Sequence, residues 1–531
     1  MDSIDERELK VRVGDATMNR EIKRLKTGSI GVVTVAFMAL ATAAPITAMT
    51  GNVPIAVGYG NGMYAPAGYL VAGVILTIFT VGYAAMARHV TNTGSFYGYI
   101  SQGLGQSVGL MSGVLSGVAY IVFEGSLIGI FASFTRSTIM HFGGPTISWV
   151  PIALVGIALI SVMGYFDITI SGVVLGVFLV TEVAIILLMA FSVLFHGGGS
   201  HGLVGSAINP INAFKNAPTD AKAGIVGSAG IGLFFAFWSW VGYETTAVYG
   251  EESKNPKKVI PKALILVVIA VALLYTFVSW MAVAGDGPTQ AISLARSSDP
   301  FSMFYNVVNV FVGGWAESLY RVLIITGSFA CALAFHNTAS RYIYAIGREM
   351  PAKLVRNAMG ATHDKHKSPY IASITQSVIT LVIVLGFWIL QKPSAAVPDV
   401  PYIYVYGLLA IFGTMIILIV QSLSSFAVIG YFHVKKQHPE TANIFRTFLC
   451  PLVGAGGMLY VVYLLFTNLG FAAGAAATSP FFHAIPWMVL IVAVGSYGYA
   501  LYLKSRHPDE FKMLGRTVME EAHERDESPV T

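Results

Sequence analysis

Apolar runs of about 20 residues recur along almost the whole chain, separated by short polar stretches that carry Lys, Arg, Gly and Pro. A helix rises about 1.5 Å per residue, so each run is long enough to cross the hydrocarbon core of a bilayer. The pattern predicts twelve membrane helices, at 28–57, 64–87, 107–134, 147–165, 168–195, 224–249, 260–284, 315–346, 370–390, 402–433, 448–469 and 485–503. The remainder reads as a tail over 1–27, outer loops over 196–223 and 285–314, and a second tail over 504–531. This leaves no room for a soluble domain, and the expectation is one all-α integral membrane protein.

Two of the runs are interrupted. The first carries Pro45 in mid-span, with Gly51 and Pro54 further on. Proline removes a backbone donor and clashes with the preceding turn, so the carbonyls near Ala41 and Thr42 are expected to lose their helical partners. Past it, the N–H groups of Ile46, Thr47 and Ala48 would open a new half-helix, whose positive end suits a carboxylate. The sixth run reads Phe237-Trp238-Ser239-Trp240-Val241-Gly242-Tyr243-Glu244, with a glycine and a carboxylate at membrane depth. The two interruptions lie five spans apart. Five is odd, so the second enters from the opposite side, which is the arrangement that marks the binding site in transporters built from inverted repeats.

Composition agrees: 55% of residues are hydrophobic, 11% are charged, and mean hydropathy is +0.68. The net charge of +5 belongs to topology and not to nucleic-acid binding. Of the 32 Lys and Arg, only Arg136, Lys215, Lys222, Arg296, Arg321 and Lys392 fall on the side opposite the N-terminus. The positive-inside rule then places both termini in the cytoplasm, with the plasma (inner) membrane as the compartment. No short apolar segment with a small-residue cleavage site precedes the first span, which is therefore expected to be retained. Cys331 and Cys450 both fall in predicted spans and read as small core residues. His196 and His201, with no further ligand nearby, read as part of an exposed linker.

Three carboxylates lie at membrane depth: Glu124, Glu182 and Glu244. An ionisable group there is costly, and each is read as a site for ion coupling or selectivity. The alternative for each is a hydrogen-bonded neutral acid, and for Glu244 an acceptor for donors freed by the break beside it. Asp167 reads as an interfacial or helix-starting residue. Glu124 facing the substrate would favour a cationic amino acid or amine. Metalloprotease and P-loop motifs are missing, so neither an enzyme, a metal or cofactor, nor nucleotide-driven pumping is expected.

Trp238 to Glu244, followed by Glu251-Glu252-Ser253-Lys254-Asn255-Pro256-Lys257-Lys258-Val259-Ile260-Pro261, closely resembles the sixth-helix signature of the amino acid–polyamine–organocation (APC) permeases. Thr93 to Tyr99 with Gly103 and Gly105, and Asn337 to Arg341 with Arg348 and Pro351, support the same resemblance. It implies a LeuT-like fold of two inverted five-helix repeats, 28–195 and 224–433, with broken helices 1 and 6 and two peripheral helices over 446–503. It also implies a substrate carboxylate near Ala44, Pro45, Ile46 and Thr47, with an ammonium near Ala41, Phe237 and Ser239. Thr42 and Gly242 adjoin those positions, and Trp238 matches the tryptophan that covers substrate in the arginine/agmatine-antiporter members.

Two departures stand out. Ala43-Ala44-Pro45-Ile46-Thr47 replaces the glycine run that begins the first break in many relatives, and Glu182 occupies the position where proton-coupled relatives often carry lysine. The expectation is a secondary transporter that imports an amino acid by alternating access, with a proton as coupling ion and the lipid bilayer as its surroundings. An exchanger without net ion coupling and a polyamine or amine permease remain open.

Overall fold

The computed structural model describes residues 10–13, 16–19, 25, 28, 30–166, 168–220, 227–394, 399–467 and 479–515. Asp167, Lys222 and the chain beyond 515 lie outside the described residues, as do the first residues of the expected sixth span and the last of the eleventh. A two-stranded hairpin, β1 (Lys10–Val13) and β2 (Ala16–Asn19), pairs antiparallel in the N-terminal tail. Among the described residues, all the remaining secondary-structure elements are helices.

The first span is two half-helices, α1 (Val32–Ala43) and α2 (Pro45–Ile55). Next come α3 (Ala65–Ala87), the short α4 (Phe96–Leu104), α5 (Gln106–His141), α6 (Trp149–Tyr165) and α7 (Ile168–Phe195). The sixth span is α8 (Ala229–Trp240) and a 3₁₀ segment, Tyr243–Tyr249. It leads into α9 (Pro256–Asp286), the short α10 (Pro288–Ala295) and α11 (Ser302–Phe311), and then α12 (Gly314–Gly347). After α13 (Lys353–Met359) and α14 (Tyr370–Leu390), a π-helical stretch, Pro401–Leu408, runs into α15 (Leu409–Ile429). The chain closes with α16 (Cys450–Thr467), α17 (Pro480–Arg506) and the short α18 (Pro508–Met513).

Among the described residues, ten helical stretches are long and apolar enough to span a membrane, the first of them counted across its break at Ala44. The other two expected spans fall short for visible reasons: α6 has 17 residues, and the sixth span is broken at Gly242. Burial within the protein separates inner from outer spans. The most apolar 18-residue windows of α5 and of Pro401–Val434 are 83% buried, and that of α17 only 17%. Lipid is as apolar as leucine, so a helix with its side chains turned outward, such as α17, is at home in it.

The described parts of the two loops read from sequence as outer are held by the bundle. Ala217 N–H donates to the Gly60 carbonyl at 2.8 Å, and Gly199 N–H to the Ala284 carbonyl at 2.9 Å. This pins the segment that the sequence assigned to an exposed linker. The second loop forms α10 and α11, whose connection places Phe301 against Tyr402 and Phe134.

Candidate functional site

The first break turns on one residue. Ala44 sits in the left-handed region (φ 48°), and Pro45 starts α2 with the fixed φ that a first helical position favours. The first backbone bond of α2 runs from Ala48 N–H to the Ala44 carbonyl, so Ile46 and Thr47 N–H have no helical acceptor. The Glu182 carboxyl reaches over from α7 toward Ile46 N–H. Glu182 also lies against Gly327 of α12, where an added Cβ would come within 2.7 Å of its carboxyl carbon. The Thr47 hydroxyl is buried with no partner.

The carbonyls expected to be free are largely occupied. Ala41 O still accepts from Ala44 N–H, Thr42 O takes the Cys331 thiol at 3.3 Å, and Ala43 O takes the Tyr275 hydroxyl at 2.5 Å. Cys331, read from sequence as a core residue, is buried but holds the break.

The second break is different. Gly242 has φ 117°, and an added Cβ would lie 2.8 Å from the Thr42 carbonyl carbon and oxygen. Only glycine fits there, and the two breaks touch across it. Val241 N–H bonds back to Trp238 O, which leaves Phe237 O without its helical donor. Glu244 folds onto this break. One carboxyl oxygen accepts Gly242 N–H at 3.0 Å and the other accepts the Tyr120 hydroxyl at 2.8 Å.

Between the breaks lies a cavity of about 30 Å³, counted as space open to the centre of a water-sized sphere, room for about two waters. Thr42, Ala44, Thr47, Trp238 and Ser239 of the sequence-derived set line it, with Asn52, Cys331 and Tyr406 added by the fold. Phe123, Leu127, Val241 and Phe335 supply an apolar wall. Ala41, Pro45, Ile46, Phe237 and Gly242 stand behind the lining, as do Glu124, Glu182 and Glu244. Glu124 does not face the cavity. It meets His336 of α12 and Gln376 of α14, both of which escaped the sequence reading. His336 sits at membrane depth, and that alone was a usable signal.

Above the cavity, Trp238 packs on Tyr406 with ring centroids 4.6 Å apart, Tyr406 stacks on Tyr402 at 5.7 Å, and Tyr402 meets Phe301 at 4.8 Å. Tyr406 donates to Asn52 Oδ1 at 2.7 Å, and Asn52 Nδ2 donates to Ser239 at 2.9 Å, tying the two broken spans together. Below it, at the end bearing Ile30 and Arg506, closure is ionic. Arg341 holds Glu252 through two bonds of 2.9 Å, and Arg348 holds Glu251 at 2.6 Å. The Arg348 guanidinium helps hold the Glu251 carboxyl below its ordinary range despite burial. Ile30 bridges the same loop, accepting from Lys254 N–H at 2.9 Å.

A LeuT-like fold with both breaks on one cavity is the frame of a transporter. Residues 30–494 match the family model described as amino acid permease. The chain belongs to that family, in the APC superfamily. It is a multi-pass membrane transporter, not an enzyme.

Its relatives are distant. Over 477 residues, 86% of this chain and 95% of the relative, it is 23% identical to the low-affinity putrescine importer PlaP of Escherichia coli (strain K12). Over 247 residues it is 25% identical to the branched-chain amino acid permease BcaP of Bacillus subtilis (strain 168), and that match spans 46% of either chain, about half of the relative's length. The crystal structure of the Eremococcus coleocola manganese transporter mutant H236A superposes with a TM-score of 0.56. At 10% identity, over 93% of this chain and 99% of that one, it shares the fold.

Proposed function

We propose that this permease imports an amino acid with an uncharged, apolar side chain, driven by protons, across a plasma membrane with both termini in the cytoplasm. One observation carries the substrate reading. The cavity between the breaks offers an unpartnered Thr47 hydroxyl and the start of α2 on one side and an apolar wall on the other, with no charged side chain among its described lining residues. A zwitterion's carboxylate suits the half-helix start, and its side chain suits Phe123, Leu127, Val241 and Phe335.

The similarity to a putrescine importer favours a second reading, a diamine permease. A dication in a low-dielectric cavity calls for facing carboxylates. Glu124, Glu182 and Glu244 are turned to other partners, which supports the amino acid. Trp238 is the gate in this reading, held by Tyr406, and the aromatic column must part before anything larger than two waters enters. Glu182, joined to the first break, is the leading coupling group. Glu124 and Glu244 complete the set.

Uptake by purified protein in liposomes tests this, with a radiolabelled amino acid and amine panel under an inward proton gradient, a sodium gradient, or internal substrate alone. Proton-driven accumulation of apolar amino acids is the expected result, and Glu182→Gln should abolish the response to the gradient. Accumulation of putrescine in their place overturns the substrate reading. Uptake only into preloaded vesicles makes the protein an exchanger.

A further inference from the structure

α5, α12 and α14 bring an acid and an imidazole together in the interior. Glu124 and His336 are both fully buried. His336 Nδ1 lies 3.1 Å from Glu124 Oε2, and its Nε2 lies 2.7 Å from the Ser373 hydroxyl. Gln376 Nε2 donates to the same Glu124 oxygen at 2.5 Å. Glu124 Oε1 and Gln376 Oε1 are left as buried acceptors with no donor. A buried charged acceptor without a donor is costly, and a proton on the Glu124 carboxyl removes the charge that its unpartnered oxygen carries.

The cluster also has an outlet. Gly164, near the end of α6, presses its backbone on the imidazole, and an added Cβ would lie 2.5 Å from Nε2 and 2.8 Å from the Ser373 hydroxyl. Gly164 lines a second cavity of about 10 Å³, together with Asn337, Arg341, Glu252 and His366, at the end of the bundle that carries the tails. That is room for about one water. Asn337 Nδ2 is buried there without a partner. On the other side of the pair, Phe123 and Phe335, the chain neighbours of Glu124 and His336, line the central cavity.

We infer that Glu124 and His336 together hold one exchangeable proton, received from or released to the tail-bearing end of the bundle, and that this proton is a coupling proton of the transport cycle. The inference deepens the proton-driven reading above and rests on it. In the unloaded state the ring is neutral with hydrogen on Nδ1, and Glu124 is a carboxylate. A proton arrives at Nε2 by way of the Ser373 hydroxyl while the Nδ1 proton passes to Glu124. The ring ends neutral, the acid ends neutral, and the pair goes from one negative charge to none. Release is the reverse. Ser373 can turn its hydroxyl to donate to Nε2 or accept from it, so Nε2 has a partner in both states.

The other charged and polar groups near the pair are engaged elsewhere. On α5, Tyr120 gives its hydrogen to Glu244. On α12, Arg341 is held by Glu252. α14 contributes neutral Ser373, Gln376 and Thr380, and Glu182 of α7 is turned to Ile46. Tyr165, beside Gly164 on α6, His366 and Lys367, both in the wall of the small cavity, and His363, packed on Tyr165, are the titratable groups on the outlet side.

Infrared difference spectroscopy of the purified full chain in lipid, on a step from alkaline to acidic pH, reads the proton without any substrate. A protonated-carboxyl band should appear in wild type, vanish in Glu124→Gln and move in His336→Gln. A band unchanged in both variants overturns the inference. The transport arm uses leucine. Ser373→Ala should lower gradient-driven leucine uptake relative to leucine exchange on the order of a hundredfold, the lower end for a lost proton-transfer partner. An unchanged ratio, with the band assigned to Glu124, makes the pair a structural acid and also overturns the inference. If Glu124→Gln fails to fold, the band shift in His336→Gln and the Ser373→Ala ratio decide. Wild-type uptake that ignores the gradient would instead remove the proton-driven reading itself.

Discussion

The two breaks do the same thing to the helix axis by opposite means. In the first, a non-glycine residue holds the left-handed turn, and the groups around it are borrowed by distant helices: Cys331 and Tyr275 take carbonyls, and Glu182 reaches toward an amide. In the second, glycine supplies the turn and Glu244 satisfies the freed amide from two residues away. The first break is therefore held from outside and keeps an unpartnered Thr47 hydroxyl on the cavity, while the second is largely closed on itself. A break that is locally satisfied suits a hinge. One that depends on partners in α7, α9 and α12 suits a site that must respond to whatever those helices do.

The largest effect expected from disturbing this contrast is at Gly242. Gly242→Ala puts a methyl against the Thr42 carbonyl and forces alanine to φ 117°, a conformation costing about 1–3 kcal/mol before the clash is counted. Transport should be lost and thermal stability should fall together. A stable, active variant would mean that the breaks do not depend on their contact. Next is Trp238→Ala, which removes the ring beneath Tyr406 and should raise the apparent KM for substrate; unchanged affinity and transport would show that the aromatic column is packing alone.

Glu244→Gln keeps an acceptor for only one of two donors and should cost about 1–3 kcal/mol of stability with substrate affinity little changed. A change in affinity without a change in melting temperature would move Glu244 from hinge to binding site. Thr47→Val gives the smallest structural change, because it removes a hydroxyl that has no partner within the protein. Stability should hold or rise, while KM rises up to about tenfold for a substrate that bonded to it. No change in KM would mean that the substrate does not reach the start of α2.

Pro45, Gly242 and Glu244 were legible in sequence because each violates a local rule: proline inside a helix, and glycine with a charge at membrane depth. The spans were legible for the same reason, since lipid imposes one requirement on every residue of a run. His336 also broke that rule and was passed over, because it stands in a stretch otherwise read for its likeness to a motif. The 17-residue length of α6 was not legible, because it depends on exact helix ends.

The sequence by itself determined an all-helical membrane protein, the place of both breaks and the uneven distribution of Lys and Arg, because all three depend on hydropathy, backbone chemistry or charge at a single position. Tertiary structure alone decided which buried polar groups face the cavity and which face each other. Glu124 could have pointed at a substrate, and it was the packing of α5 against α12 and α14 that gave it His336 and Gln376. A buried carboxyl must find a donor somewhere, but the partner can come from any helix that the fold brings near. Those partners lie 212 and 252 residues away along the chain, a distance at which no pattern along one helix carries information about another.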